Sequence, residues 1–600
     1  MFFFIFAVNI YWMDKAFINN NLLVAVIIFI FSTLLYIPSI SHNFVWDDVI
    51  QIEKEYHKLK NKSFVKSLVP NASKKKTKSY YRPLTMLSLY YDFTFWGNNS
   101  HGFHLTNIVI NAVCSVLVFF LFLLILKKFR IRARENIALF SALLFAAHPM
   151  HVESVSWIAG RSDMISTMFF LAAFLIHINS YKRSFFIVIA CILFYFSMLS
   201  KEVAVAFPFS ILVYEYISSK KLNKDSIIRI TAYFAVLILY IFLRYRFGGV
   251  IVPDVSNSLI SGSGSGSSTD EGLGFLKNIY VIKTIFVTYL FYFYKLITPF
   301  WFSSYISEYP KGGLMLILSL LSFILLFYVS IISYFKKSGF KAFCILWLLL
   351  VLGPSIIISY STLATTPVAE RYLYLPLAPF SLLVIFLFYK LKEYVKMEQP
   401  VLIVMVLLLI VFSFLSIYRQ NVWQDRITFW TDASKNTKNA VPHINLGMAY
   451  IDNKNPDEGI AVLEATLNSD LKTSRLMKSV SYNNLGIAYL NSRKTNKAKQ
   501  AFLNATKAYP RFHKSYYHLG IINLSYGLKN HTENELEIAK DYFLEAIKRK
   551  SNYARAYLGL AKVYLAYGQD DKSKELAAKA LKYGLVAPMD KQAKDILNLN

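Results

Sequence analysis

The sequence Asn43-Phe-Val-Trp-Asp-Asp48 follows directly on the apolar segment Asn21 to Ile40. That segment has the length, about 20 residues, that a helix needs to cross a bilayer. The sequence therefore predicts that Asp47 and Asp48 emerge at the membrane surface. Adjacent carboxylates repel each other, so one of the two can hold its proton to a higher pH than usual and act as a general base. The alternative is a solvated acid pair at a helix end.

The composition of the chain indicates a polytopic membrane protein. Of its 600 residues, 55% are hydrophobic and 16% aromatic, and the mean hydropathy is +0.41, which is too apolar for a soluble protein of this size. The net charge of +29 comes without a zinc-ligand set or an RNA-binding signature, so nucleic acid is not expected as a partner. Cys114, Cys191 and Cys344 lie inside apolar segments, so neither a disulfide framework nor a thiolate metal site is expected.

Clusters of cations predict the orientation of the spans. The loop after the second span, Leu105 to Leu126, carries five lysines and arginines between residues 127 and 134, and such a short basic loop is typical of the cytoplasmic side. The polar loop 41–102, which contains the acid pair, is then expected outside the cytoplasm.

The later lysine clusters constrain the number of spans. The clusters at 336–341 and 390–396 are both cytoplasmic if Leu276 to Pro299 returns to its own side as an interfacial or re-entrant segment of an outer region, 248–312. A membrane domain of about eleven spans over residues 1–420 results, with the N-terminus inside. A twelve-span count is the alternative.

The sequence changes character at about residue 421, and a soluble repeat domain is predicted over 421–600. One copy of a 34-residue helix-turn-helix repeat is nearly complete, the tetratricopeptide pattern, with about four copies in all. Its signature residues are Leu485, Gly486, Tyr489, Ala498, Phe502, Ala505 and Pro510. Such repeats stack into an α-solenoid with a concave face that suits an extended peptide. The predicted topology places this domain outside the cytoplasm.

Ionisable residues recur in the other turns that are predicted to face outward. Charged groups at membrane depth are expensive to desolvate, so their convergence on one face favours a polar site. Arginine and lysine there suit a phosphate. The residues concerned are Arg82, His148, His151, Glu153, Arg161, Lys201, Glu202, Glu370 and Arg371.

Each of these groups also has a structural interpretation. His148, His151 and Glu153 have the spacing of metal ligands, but they are accompanied by a proline and no further acidic motif, and histidines at an interface are the alternative. The pairs Lys201-Glu202 and Glu370-Arg371 are alternatively interfacial ion pairs.

The order of these motifs resembles the transmembrane-and-tetratricopeptide O-mannosyltransferase family. The matching motifs are WDD at 46–48, YRPLT at 81–85, HPMHVESVSWIAGRSDM at 148–164, SKE at 200–202, ERYLYLP at 370–376 and the C-terminal repeats. That family is similar to the C-type glycosyltransferases, which take a sugar from a polyprenyl-phosphate carrier. The resemblance implies an all-α fold, with a multispan helical bundle followed by a tetratricopeptide solenoid.

The resemblance also implies an activity and a site. It implies inverting transfer of a sugar, with mannose favoured, to a serine or threonine hydroxyl of an extracytoplasmic protein recruited by the repeats. Asp47 or Asp48, with Asp47 preferred, is then the base. Arg161, Lys201 and Arg371 contact the donor phosphate, with Arg82 in reserve, and His148, His151, Glu153, Glu202 and Glu370 support the site. No cofactor is assigned, and no motif supports a divalent metal.

Two other functions are compatible with this pattern. A related enzyme would act on a glycan or a lipid, and its repeats would recruit a partner enzyme. A scaffold would display repeats at the membrane without catalysis, although it has no use for an acid-and-cation set. The residue usage, rich in Lys, Asn and Ile, favours the inner membrane of a prokaryote.

Overall fold

The computed structural model describes residues 20–49, 52, 82–182, 185–246, 271–307, 312–335, 339–359, 368–585 and 588–598. Over these residues the chain is helical, and β structure is limited to isolated bridges. The chain divides into two compact units, Met1–Asp432 (unit 1) and Ala433–Asn600 (unit 2). The predicted all-α fold is confirmed, and the observed division falls at 432, where the sequence predicted 420.

Unit 1 consists of helices joined by tight turns. Its α-helices are α1 (Asn21–Tyr36), α2 (Pro83–Trp96), α3 (Ser100–Lys128), α4 (Arg134–Ala147), α5 (Val152–Ser156), α6 (Arg161–Asn179), α7 (Phe185–Ser200), α8 (Phe207–Ser219), α9 (Lys224–Arg246), α10 (Glu271–Ile297), α11 (Gly313–Phe335), α12 (Gly339–Ser359), α13 (Leu377–Val395), α14 (Glu398–Gln420) and α15 (Arg426–Lys435), which crosses the unit boundary. Short 3-10 helices lie at Ile37–Ser41, Pro149–His151, Ile158–Gly160, Ser180–Lys182, Glu202–Ala206, Glu370–Leu373 and Asn421–Trp423. Three of these carry predicted site residues.

Several helices of unit 1 can span a membrane. Among the described residues, seven are long and apolar enough to cross, or eight if α4 and the bent segment Pro149–Ser156 form one span with a 51° break. The helix α7 is apolar but shorter. A multi-pass membrane architecture follows, and the total of about eleven spans stays a prediction.

The region predicted to be interfacial or re-entrant contains α10. This helix is continuous from Glu271 to Ile297, without the chain reversal of a re-entrant loop. Phe286 and Tyr289 of α10 pack against Phe323 of α11, with ring centroids 5.4 and 5.5 Å apart. Residues 247–270 and 308–311 of the predicted outer region 248–312 lie outside the described residues, as do 50–51 and 53–81 of the predicted loop 41–102 and Lys336-Lys337.

The two ends of unit 1 differ in the turns that they bring together. At one end Phe129, which follows the basic end of α3, packs against Phe340 and Phe343 at the start of α12. At the other end, which we call the acid end, the Asp47-Asp48 turn meets the turns before α6 and before α13. Turns with the predicted cytoplasmic clusters and turns with the predicted site residues therefore lie at opposite ends of the helices.

Unit 2 is a series of helix pairs. Its helices are α16 (Ala440–Asp452), α17 (Pro456–Asn468), α18 (Arg475–Asn491), α19 (Thr495–Ala508), α20 (His513–Asn530), α21 (Glu533–Arg549), α22 (Ala554–Ala566), α23 (Asp570–Lys582) and α24 (Met589–Leu597). Within one pair Gly486 of α18 faces Phe502 of α19 so closely that a Cβ on the glycine would lie 2.6 Å from the ring. A small residue and a large ring therefore pack directly against each other within this pair.

Candidate functional site

Asp48 anchors the turn that contains Asp47 and Asp48, here called the acid turn. Its side chain is fully buried, and its carboxylate accepts hydrogen bonds from the backbone N–H groups of Ala159 at 2.8 Å and Val45 at 3.3 Å. Burial raises the pKa of Asp48 to about 8, against the opposing effect of these N–H donors. The residue therefore joins the acid turn to the 3-10 segment Ile158–Gly160.

Trp46 fixes the conformation of the same turn. Its φ of 51° lies in the left-handed region, which is costly for a residue with a large side chain. Stacking compensates, because the indole lies 4.9 Å from Trp157 and 5.4 Å from Phe429, centroid to centroid. These two ring contacts hold Trp46, and with it the turn that carries Asp47.

Asp47 is the accessible member of the acid pair. Its side chain is half-buried, whereas that of Asp48 has no exposed surface. Burial raises the pKa of Asp47, and the positive charge of Arg371 opposes the rise. A carboxylate with a raised pKa and an open side has the properties of a general base.

Arg371 lies beside Asp47 and is held by Glu153. The backbone N–H of Arg371 donates to Glu153 Oε2 at 2.9 Å, and its guanidinium donates to Oε1 of the same carboxylate. The guanidinium also lies over the rings of Trp157 and Tyr372, at 5.1 and 4.9 Å. About a tenth of the side chain, 12%, is exposed, so Arg371 is oriented by the protein while part of it remains open.

Lys201 is a second cation of the acid end. Its Nζ donates to Asp163 Oδ2 at 2.5 Å and lies 4.8 Å from the Tyr372 ring centroid. Burial lowers the pKa of Lys201 to about 8, partly offset by Asp163 and reinforced by the neighbouring charges of Arg82 and Arg371. These interactions place three cations within electrostatic reach of one another.

Arg82 completes the cation group. Its Nη2 donates to Glu202 Oε2 at 2.9 Å, and Arg244 binds the other oxygen of Glu202 at 2.9 Å. Burial would raise the pKa of Glu202, but the two guanidinium groups outweigh it and lower the pKa to about 2. The Arg82 side chain is 21% exposed. Arg244 was not predicted, although its position in the last turn of the apolar helix α9 is visible in the sequence.

Arg161 does not fit its predicted role as a phosphate ligand. Its side chain is completely buried and forms an ion pair with Asp92 at 2.5 Å. Its Nε donates to Asn107 at 2.7 Å, and its Nη2 donates to the carbonyl of Phe103 at 2.9 Å. Since the guanidinium is directed into the protein, Arg161 joins α6 to α2 and α3.

The two histidines are packing residues in this structure. The Nε2 of His148 lies 3.1 Å from the carbonyl oxygen of Leu296, and its Nδ1 accepts the N–H of Met150 at 3.3 Å. His151 packs between Phe145 and Tyr374, with ring centroids 4.3 and 4.2 Å away. In the part of the chain that the structure describes, no group of three or more His, Cys, Asp or Glu residues could hold a metal ion.

Glu370, next to Arg371 in the chain, is bound by Lys295 and by the backbone of Ser303. Its Oε1 accepts from Lys295 Nζ at 3.0 Å and from the backbone N–H of Ser303 at 3.1 Å. The adjacent residues Glu370 and Arg371 therefore bind α10 and α5 respectively. Lys295 is not predicted from the sequence, because a single lysine inside the apolar segment Leu276 to Pro299 carries no separate signal.

The acid end has a partly open carboxylate, Asp47, beside Arg371, which is one of three clustered cations. Arg82, Lys201 and Arg371 come from three different turns and interact with the same two groups, Asp163 and Tyr372. Such a cluster is suited to an anionic group such as a phosphate, and Asp47 lies where it can accept a proton from a second reactant.

A family model for the tetratricopeptide repeat matches residues 480–512 of the chain. The solved structure of MamA is 25% identical to the chain, with a TM-score of 0.22, and the match covers 28% of this chain and 89% of MamA.

Curated proteins that are similar to the chain share one name. Protein O-mannosyl-transferase F38B6.6 of Caenorhabditis elegans is 27% identical over 384 residues, covering 62% of this chain and 51% of that protein. Protein O-mannosyl-transferase TMTC4 of Mus musculus is 24% identical over 426 residues, which cover 63% of this chain and 57% of that protein. TMTC3 of Homo sapiens, also named a protein O-mannosyl-transferase, is 36% identical over 160 residues, which cover 25% of this chain and 16% of that protein. The resemblance drawn from the motifs is confirmed, and the chain spans about half the length of the first of these relatives.

Proposed function

We propose that the chain is a membrane glycosyltransferase that moves a sugar from a polyprenyl-phosphate carrier to serine or threonine hydroxyls of proteins. The observation that carries the proposal is the position of the half-buried Asp47 beside Arg371, one of three clustered cations. The names of the similar proteins favour mannose as the sugar and protein as the acceptor.

In the proposed reaction Asp47 is the general base. Its carboxylate takes the proton of the acceptor hydroxyl while the oxygen attacks the anomeric carbon from the face opposite the phosphate. The bond between that carbon and the phosphate oxygen breaks, its electron pair stays with the phosphate, and polyprenyl phosphate leaves. A single displacement inverts the configuration and needs no covalent nucleophile. Burial helps Asp47, because it raises its pKa toward the working pH.

The donor phosphate is assigned to Arg371 and Arg82, with Lys201 behind them. Both arginines keep part of the side chain exposed, 12% and 21%, whereas Lys201 is nearly buried against Asp163. A guanidinium can bind a phosphate through two parallel hydrogen bonds. Glu153 and Glu202 hold these arginines in place before the donor arrives.

The repeats are proposed to recruit the protein acceptor. The chain leaves unit 1 at the acid end, because Phe429 of α15 stacks on Trp46 and the Asn43 N–H donates to the carbonyl of Gln424 at 2.8 Å. Stacked tetratricopeptide repeats offer a concave face that suits an extended polypeptide. We propose that this end and the repeats lie outside the cytoplasm, and the composition favours a prokaryotic inner membrane.

The test uses the full chain in nanodiscs, a mannosyl polyprenyl phosphate donor with a labelled sugar, and a mixture of extracytoplasmic proteins. Mass spectrometry identifies hexose on serine or threonine. Asp47→Asn is expected to abolish the labelling, and Asp225→Asn, an exposed acid at the start of α9, is the matched control. Label on a lipid or a glycan instead of on protein would show that the proposed protein acceptor is incorrect. Absence of any transfer by the folded native chain would favour a scaffold.

A further inference from the structure

The most uneven distribution of charge in unit 2 is a segment without acids. Residues 471–532, here called the basic segment, contain eleven lysines and arginines and no aspartate or glutamate. Over residues 433–600 there are 26 lysines and arginines and 15 acids, so the cations outside the basic segment are matched one for one by acids. The whole excess of positive charge in unit 2 comes from α18, α19, α20 and their connections.

The chemistry of these cations differs from that of the rest of unit 2. Elsewhere, cations pair with acids one turn away on the same helix, as in Lys579–Glu575 at 2.6 Å and Lys594–Asp590 at 3.4 Å. Such pairs cannot form within α18, α19 or α20 because those helices contain no acid. Lys494 pairs with Asp457 of the neighbouring helix α17 at 3.4 Å, while the segment as a whole keeps an excess of positive charge that attracts an anionic partner.

The cations lie at both ends of the helix pair. The start of α18 lies beside the end of α19, because Ser479 Oγ donates to the carbonyl of Ala505 at 2.8 Å. The helix α20 begins at the same end, because only four residues separate its start from the end of α19. Exposed cations at this end include Arg475, Lys478, Lys507 and Arg511. Exposed cations at the opposite end include Arg493, Lys497 and Lys529.

The separation of the two groups selects the kind of partner. The helix α18 has 17 residues, so the two ends are about 25 Å apart. A polypeptide of about eight extended residues covers this distance, and stacked helix pairs of this kind offer a surface that suits an extended peptide. We propose that the basic segment is a binding surface for an acidic polypeptide that runs along α18, α19 and α20. Because the inference concerns binding, it does not depend on sugar transfer.

The experiment measures binding by the full chain in nanodiscs of zwitterionic lipid. The probes are a fluorescent peptide of alternating glutamate and serine and its lysine-serine counterpart. The acidic peptide is expected to bind, with an affinity that falls steeply as salt is added, and the lysine peptide is expected not to bind. Equal binding of both peptides, or none of the acidic one, would overturn the proposal.

Charge-reversal variants test the surface itself. The variant Arg475→Glu/Lys478→Glu/Lys507→Glu/Arg511→Glu and the variant Arg493→Glu/Lys497→Glu/Lys529→Glu are each expected to weaken acidic-peptide binding about tenfold or more. The matched control changes exposed lysines outside the segment, Lys548→Glu/Lys550→Glu/Lys582→Glu/Lys591→Glu, and is expected to change it by about twofold or less. If the control lost as much affinity for the acidic peptide, the effect would come from net charge alone, and the assigned surface would be wrong.

The competing partner is an anionic membrane. Vesicles that contain phosphatidylglycerol are added to the same nanodisc sample. If circular dichroism shows that a charge-reversal variant is unfolded, the same positions are changed to glutamine instead of glutamate. The proposal expects the peptide to stay bound. Displacement of the peptide by vesicles, together with loss of vesicle binding in the charge-reversal variants, would assign the basic segment to the membrane surface instead.

Discussion

The carboxylate of Asp48 accepts a 2.8 Å hydrogen bond from the backbone N–H of Ala159, 111 residues later in the chain. This contact joins the turn after α1 to the turn before α6 and leaves the neighbouring Asp47 half-buried. Two adjacent, chemically identical side chains thus have different environments. One is surrounded by backbone donors, and the other can reach a substrate.

The first prediction separates these two roles. Asp47→Asn keeps the shape of the side chain but removes the proton acceptor, so transfer is expected to fall by about 10² to 10⁴ with an unchanged melting temperature. Asp48→Asn places an amide NH2 against the N–H of Val45 or Ala159, so a stability loss of about 1 to 3 kcal/mol is expected, with a smaller effect on rate. Initial rates and thermal unfolding of both variants decide it, and a reversed pattern would move the base to Asp48.

The second prediction concerns pH. Since burial raises the pKa of Asp48 to about 8 in the folded protein, from about 4 in an unfolded chain, the folded state holds this proton more tightly. The stability from this group is fully present below about pH 4 and is lost as the pH rises through about 8. Unfolding of the native chain is compared with that of Asp48→Asn between these values. A difference between the two that does not change with pH would contradict the raised pKa.

The sequence predicted the helical fold, the repeats and the convergence of the outward turns, because each follows from periodicity or charge position. It could not separate Arg161 from Arg371. Both are arginines in turns next to acids, and only the packing shows that Asp92 and Asn107 enclose the first while the second keeps an exposed part. The asymmetry of Asp47 and Asp48 likewise depends on backbone donors, which have no signature in the side-chain sequence.

The third prediction contrasts these two arginines. Arg161→Ala leaves the largely buried Asp92 carboxylate without its partner, so a stability loss of about 3 to 5 kcal/mol is expected. Asp92→Asn in the same chain should recover part of it. All eight tryptophans lie within residues 1–432, so tryptophan fluorescence follows the unfolding of unit 1 alone. If Arg161→Ala had native stability but a lower affinity for the sugar donor, Arg161 would be assigned to the phosphate site after all.

The fourth prediction assigns Arg371 to the donor. Because Arg371→Ala alone strands the buried Glu153, the double variant Arg371→Ala/Glu153→Gln is used. Loss of a charge-assisted contact of about 1.5 to 3 kcal/mol raises the apparent KM for the polyprenyl-phosphate donor about tenfold or more. The KM for acceptor should stay close to native. Lys221→Ala, an exposed cation in the turn after α8, is the control. Equal changes in the KM for donor and the KM for acceptor would show that Arg371 does not bind the donor phosphate.

The last prediction concerns the packing of the repeats. Gly486 faces the fully buried ring of Phe502, where a Cβ would approach to 2.6 Å. Gly486→Val therefore forces the ring or the helix to move, and a loss of about 1 to 3 kcal/mol in the stability of unit 2 is expected. Phe502→Leu in the same chain should restore part of it by making room for the valine. Gln500→Val, at an exposed position of α19, controls for the lower helix propensity of valine.

The readout distinguishes the two units. Since unit 2 contains no tryptophan, Gly486→Val should lower the far-ultraviolet circular dichroism transition that belongs to unit 2 and leave tryptophan fluorescence unchanged. If the repeats recruit the acceptor, the same variant also raises the KM for a protein acceptor while the KM for the donor stays native. Native acceptor kinetics in a chain whose repeats are unfolded would show that transfer does not require unit 2.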